Sequence, residues 1–167
     1  DIEAGTPVYF RIRDVKKDMD AIRASASLPL VSRNVRIGNH LYLDGGISDA
    51  IPIRKSILDG NSKNVVVLTK EEGFVRQPTT QLPLLKMRYF RYPKVAELMA
   101  ERHITYNNTM DYLYDQQKNG QAFVIRPAEK SNVGRIEKDE DKLKALYKQG
   151  YADAEALYEP LLNYLES

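Results

Sequence analysis

One stretch of the chain has the residue types and spacing for chemistry: Leu41-Tyr42-Leu43-Asp44-Gly45-Gly46-Ile47. An acidic residue ends a short apolar run and two glycines follow at once. That pattern predicts a carboxylate delivered by a buried strand to a tight turn, where glycine lets other backbone or a ligand come close. Open α/β sheets carry their chemistry at the carboxyl ends of strands. A carboxylate so placed can act as a general base on a hydroxyl within about 2.6–3.2 Å. It can also cap backbone amides, the common duty of Asp before Gly. Asp44 is the candidate catalytic residue, and Gly45 and Gly46 are the candidates for contact with substrate.

Other groups fit chemistry less well. Gly46-Ile47-Ser48-Asp49-Ala50 differs by one residue from a Gly-x-Ser-x-Gly nucleophile elbow, but Pro52 puts the next helix several residues late and the Cβ of Ala50 would crowd the turn. Ser25 and Ser27 fall within or at the end of a helix, where small residues permit close packing. His40 and Asp44, four apart on a strand, would be about 13 Å apart at strand rise, and His103 falls inside a long helix as a packing or surface residue. With two histidines and no cysteine, no metal-ligand cluster and no cofactor are expected. A haloacid-dehalogenase-like phosphatase would need an aspartate at the strand end, a Ser or Thr ending the next strand (Thr69 after Val65–Leu68), and a second aspartate where Gly46 stands.

The elements that would position Asp44 alternate. Pro7–Phe10, Leu41–Leu43, Val65–Leu68 and Ala122–Ile125 read as buried strands, and the unbroken apolar run of the third suits a strand covered on both faces. Asp18 can cap a helix through Ala21, Ile22 and Ala26 that Pro29 ends. Pro52 suits the start of a helix that Gly60 stops, and Pro93 opens a longer one through Val95, Leu98, Met99, Tyr106, Met110 and Leu113 that stops near Gly120. Asp139, Glu140 and Asp141 place negative charge at a helix start. That helix carries Leu143, Leu146 and Tyr147 on its apolar face. After Gly150, helical spacing continues through Leu165, with Pro160 as an interruption. Residues 70–92 show no clear period and read as a long surface excursion. Strands alternating with helices predict α/β, with a mostly parallel sheet flanked by helices and a single domain over residues 1–167.

Composition narrows the classes. Hydrophobic residues make up 43% of 167, enough for a core and too many for a disordered chain. No run reaches the roughly 18 apolar residues of a spanning helix. The start lacks the basic and apolar regions of a signal peptide. Twenty-five basic against 23 acidic residues, net +2, argue against phosphate-driven nucleic-acid binding. The absence of cysteine is compatible with a reducing compartment, so a cytoplasmic location is the expectation. Lys86-Met87-Arg88-Tyr89-Phe90-Arg91-Tyr92-Pro93-Lys94 interleaves four cations with three aromatics. It is either a solvated loop over buried aromatics or a patch that meets an anionic membrane surface or nucleic acid.

Ala24-Ser25-Ala26-Ser27-Leu28-Pro29-Leu30-Val31, followed by Tyr42-Leu43-Asp44-Gly45-Gly46-Ile47-Ser48-Asp49-Ala50-Ile51-Pro52, resembles the second half of a patatin-like phospholipase domain. It is most similar to bacterial patatin-like esterases. The family shows a small-residue helix ending in Ser-x-x-x-Pro, a strand ending in Asp-Gly-Gly or Asp-Gly-Ala, then Asn-Pro, for which this chain has Ile51-Pro52. The resemblance covers about residues 21–53 and implies the C-terminal part of a three-layer α/β/α lipid acyl hydrolase. Its mechanism is then a serine–aspartate dyad, with Asp44 as the aspartate. The family's Gly-x-Ser-x-Gly elbow and glycine-rich oxyanion loop have no counterpart here. The resemblance therefore implies a fragment, inactive alone, whose partner is an N-terminal half carrying the serine. The alternative is a non-catalytic α/β interaction module. A split sheet would leave an edge and apolar surface that favour self-association of the isolated chain.

Overall fold

A computed structural model describes residues 1–134 and 137–167. Its elements, in chain order, are α1 (Met19–Ser25), β1 (Val35–Ile37), β2 (His40–Tyr42), a 3₁₀ turn (Gly45–Ile47), α2 (Ile53–Leu58), β3 (Asn64–Val67), α3 (Leu82–Arg88), α4 (Pro93–Lys118), β4 (Ala122–Ile125), α5 (Glu140–Ala156) and α6 (Tyr158–Glu166). They fall into two compact units, one of residues 1–52 and 76–109, the other of residues 53–75 and 110–167. The fold is mixed α/β. Among the described residues the mostly parallel sheet is replaced by two separate two-stranded sheets, β1–β2 antiparallel and β3–β4 parallel.

In the first unit, β1 and β2 form a hairpin with Ile37 opposite His40. Its two-residue turn is Gly38-Asn39, and Gly38 takes φ +59°, the left-handed conformation that tight hairpins demand and glycine supplies. Pro7–Phe10, expected as a strand, forms none. Its side chains find other partners: Phe10 packs edge-on against Tyr42 with ring centroids 5.3 Å apart, and the Tyr9 hydroxyl donates to Asp49. α1 follows Asp18, but the expected cap is not made, since the Asp18 side chain bonds no N–H of the helix. The Asp18 carboxylate turns back, accepting from the Arg13 and Asp14 N–H groups at 2.8 and 3.1 Å.

The core of this unit is Ile2, Leu43, Ile47, Leu85, Tyr89, Val95 and Ala96. Leu85 and Tyr89 belong to the stretch expected as a surface excursion, and that reading is corrected by α3. Leu82, Leu85 and Tyr89 are spaced i, i+3, i+7 and form its inward stripe, with Leu85 at 0% exposure. Such burial is worth about 1.5–3 kcal/mol per large apolar side chain. The helix is short, Pro78, Thr79 and Thr80 precede it and Pro83 lies in its first turn, which hid the period. Upstream of α3, Arg76 exchanges two backbone hydrogen bonds with the Asn107 side-chain amide at 2.9 and 3.1 Å.

In the second unit, β3 and β4 pair in register Val65 to Phe123. Val124, Ala122 and Leu68 are buried, but Val65 and Val67 are 42% and 69% exposed. The expectation of cover on both faces of β3 is therefore corrected: one face carries Val65 and Val67 out to solvent. α6 docks here through Tyr164, whose hydroxyl accepts from the Asn64 N–H at 2.9 Å and whose ring lies 5.6 Å from Phe123. Lys63 donates to the Tyr164 and Leu165 carbonyls at 3.0 and 3.3 Å, closing the helix C-terminus with a cation. Asp139 caps α5 through the Asp141 and Lys142 N–H groups, as its position predicts. The chain breaks at Leu157, and Pro160 lies in the first turn of α6. α5 buries none of its side chains.

Candidate active site

Asp44 lies two residues past the end of β2. A hairpin strand, then, and not the carboxyl end of a parallel strand, brings it into place. Three backbone contacts fix it. Its N–H donates to the Ser27 carbonyl at 2.9 Å, which ties the residue to the end of α1. Its Oδ1 accepts from the Gly46 N–H at 2.6 Å and so caps the 3₁₀ turn. The Gly46 carbonyl in turn accepts from Arg102 Nε at 2.6 Å. The side chain is half-buried. Among the described residues Asp44 makes no salt bridge, and its Oδ2 accepts no hydrogen bond. One carboxylate oxygen is held and the other is uncommitted.

Asp44 opens on a cleft of about 370 Å³ whose walls include Val8, Phe10, Ile22 and Ile47, with Ser25 and Ser48 the serines that line it. The cleft is mainly apolar, with a carboxylate in its wall. The Pro7–Phe10 segment supplies one side of this cleft.

The two glycines differ. A Cβ at Gly46 would sit 2.9 Å from Asp44 Oδ1 and 3.4 Å from Arg102 Nη2, whereas one at Gly45 would meet nothing within 4 Å. Gly46 is needed for the close approach, while Gly45 is exposed and leaves space in front of it. Ser48 donates to the Gly45 carbonyl at 3.3 Å and ends a 3₁₀ turn five residues before α2, so it lacks the strand-to-helix geometry of an elbow. Ser27 is 5% exposed and its hydroxyl donates to the Arg23 carbonyl at 2.7 Å; it is a packing residue, as expected. His40 does not approach Asp44 but pairs with Asp1, Nδ1 to Oδ2 at 2.8 Å. His103 is half-buried within α4. The oxygens or nitrogens of Asp1, Glu3 and His40 come within 4.8 Å of one another. Both Asp1 oxygens are already engaged, Oδ1 by the Glu3 and Ala4 N–H groups and Oδ2 by His40, so this grouping ties the start of the chain to β2.

Arg102 was not among the residues singled out by type and spacing, although it left a signal. It falls in the helical stripe of Val95, Met99, Tyr106, Met110 and Leu113, a cation among apolar positions. A charge in such a stripe must find a partner, and it finds the Gly46 carbonyl.

Residues 9–56 match the patatin-like phospholipase family. The match contains Asp44, Gly45 and Gly46 and all of the motif sequence quoted above. Residues 92–166 match a different family, a domain of unknown function (DUF6363), so the patatin likeness belongs to the N-terminal part of this chain rather than to its whole length. Uncharacterized protein YjjU of Escherichia coli (strain K12) is 44% identical over 52 residues, 30% of this chain. Those residues span 15% of the length of that relative. Among the described residues no helix is long and apolar enough to cross a membrane.

Proposed function

We propose that this chain supplies the aspartate base of a serine–aspartate lipid acyl hydrolase, with Asp44 in that role. The observation that carries the reading is the state of its carboxylate: Oδ1 fixed by Gly46, Oδ2 uncommitted, in the wall of an apolar cleft. A base needs a fixed orientation and a free lone pair, and this arrangement provides both. Asp44 would take the proton of a serine hydroxyl as that oxygen attacks the ester carbonyl carbon, then return it to the departing alcohol. Water would cleave the acyl-serine by the same route. The serine and the oxyanion donors, each worth about 10²–10³ in rate, would come from polypeptide outside these 167 residues. The chain alone is expected to be inactive.

The test compares the chain joined to its serine-bearing neighbour with the same protein carrying Asp44→Asn, using p-nitrophenyl esters and phospholipids. Asp44→Asn should lower kcat by at least about 10² with the fold retained. Equal turnover in the two proteins would remove Asp44 from the chemistry. The phosphatase alternative loses support on two counts: Gly46 stands where its second aspartate belongs, and β2 is a hairpin strand.

A further inference from the structure

We propose that the outer face of α3 and the turn after it dock this chain onto an anionic lipid surface. The inference stands apart from the hydrolase reading, since neither Asp44 nor its cleft enters it. α3 buries Leu85 and, just past its end, Tyr89, at 0% and 1% exposure. Met87 lies roughly 200° around the helix from Leu85, on the opposite side, and is 70% exposed; Phe90 is 72% exposed and Leu84 46%. Three large apolar side chains thus stand in water beside one another in sequence, on a segment whose inner face is fully packed.

The charges around them have one sign. Residues 73–96 contain five cations, Arg76, Lys86, Arg88, Arg91 and Lys94, and no carboxylate. Lys86, Arg88 and Arg91 are exposed, and among the described residues none of the three is in a salt bridge. Lys94 differs: it donates to Glu97 at 2.8 Å, which raises its pKa and satisfies its charge within the chain. The Arg91 guanidinium lies 5.4 Å from the centre of the Phe90 ring, so charge and ring are presented together.

Cations alone would suit any polyanion. Exposed Leu84, Met87 and Phe90 among them would be wasted on a phosphodiester backbone, but they match the boundary between headgroups and acyl chains, where apolar side chains enter and arginine and lysine meet lipid phosphates. A peripheral contact also fits a chain in which no described helix could span the bilayer.

Flotation of the 167-residue chain with vesicles tests this, using phosphatidylcholine alone and phosphatidylcholine mixed with phosphatidylglycerol, in low and high salt. Binding should require the anionic lipid and weaken with salt. It should fall by about tenfold or more in Met87→Ser/Phe90→Ser and in Lys86→Gln/Arg88→Gln/Arg91→Gln. All five side chains are exposed, so circular dichroism of both variants should match the parent. Equal binding to both vesicle types, or unchanged binding of either variant, overturns the proposal. Capture of a single-stranded RNA without capture of vesicles would reassign the face to nucleic acid and overturn it too. So would loss of self-association in Met87→Ser/Phe90→Ser in a chain that ignores vesicles. Asp44→Asn should float as the parent does, whatever its effect on ester hydrolysis.

Discussion

Asp44 caps the turn that follows it with one carboxylate oxygen, and the proposed base role falls to the other; the residues around it divide accordingly. Gly46 is where backbone, carboxylate and Arg102 converge. Gly46→Ala should cost about 1–2 kcal/mol, because a Cβ 2.9 Å from Asp44 Oδ1 must push the carboxylate aside. Gly45→Ala should stay within about 0.5 kcal/mol, since it meets nothing within 4 Å. Urea midpoints of the two variants give the comparison, and equal losses would disprove the crowding account. Tyr89 poses the opposite problem. Its ring is 1% exposed, and its hydroxyl finds no partner among the described residues. A buried donor left unmade costs about 1–3 kcal/mol, so Tyr89→Phe should keep or raise the melting temperature; a clear loss would mean the hydroxyl does have a partner. At this scale the sequence was informative where a residue type has few uses. An aspartate before two glycines and a buried serine at a helix end were both readable. The Arg102 contact was not, because it joins positions 56 apart and nothing local in either segment specifies the other.

Elements were legible where their ends carry punctuation. Asp139, Pro93 and the glycines at 60 and 120, with φ of +93° and +72°, mark real boundaries because capping and left-handed backbone are local demands. The β1–β2 hairpin had its mark as well, Gly38-Asn39 between Ile37 and His40, and it went unread because Val35–Ile37 is too short to show alternation. α3 was missed for a similar reason: two buried positions are too few to reveal a period. Asp18 shows an end signal put to a second use. Its carboxylate receives the Arg13 and then the Asp14 N–H, and these bonds hold its pKa below the ordinary 3.8. A folded-state pKa below the unfolded one stabilises above the unfolded value, and that contribution disappears as pH falls through the folded value. Asp18→Asn should therefore be less stable than the parent at neutral pH, with the gap closing below about pH 4. Denaturant titrations at a series of pH values read this directly, and a gap that persists in acid would show that the charge is not what matters. In the second unit, Tyr164→Phe removes the hydroxyl that accepts the Asn64 N–H. Because that N–H also reaches the Gln121 carbonyl at 3.1 Å, the loss should be only about 0.5–1.5 kcal/mol.

For the molecule as a whole, the strand reading was right about where β3 lies and wrong about what covers it. An unbroken Val65-Val66-Val67-Leu68 run implies a strand packed on both faces, yet Val65 and Val67 are 42% and 69% exposed in a sheet of two strands. Two-stranded sheets are marginal in water unless something packs on them, and their outer edges keep unpaired N–H and C=O groups. With a net charge of only +2, little repulsion keeps copies apart. We therefore predict that the isolated chain self-associates through β3. Sedimentation equilibrium should give an average mass that rises above 19.1 kDa with concentration. Val65→Thr/Val67→Lys should bring it back toward the monomer: threonine keeps the strand propensity while lysine blunts further pairing. The parent chain sedimenting as a monomer at high concentration would show that the exposed valines cost too little to drive pairing. An oligomer that survives the double substitution would place the contact on another surface, with the outer face of α3 the next to test by Met87→Ser/Phe90→Ser.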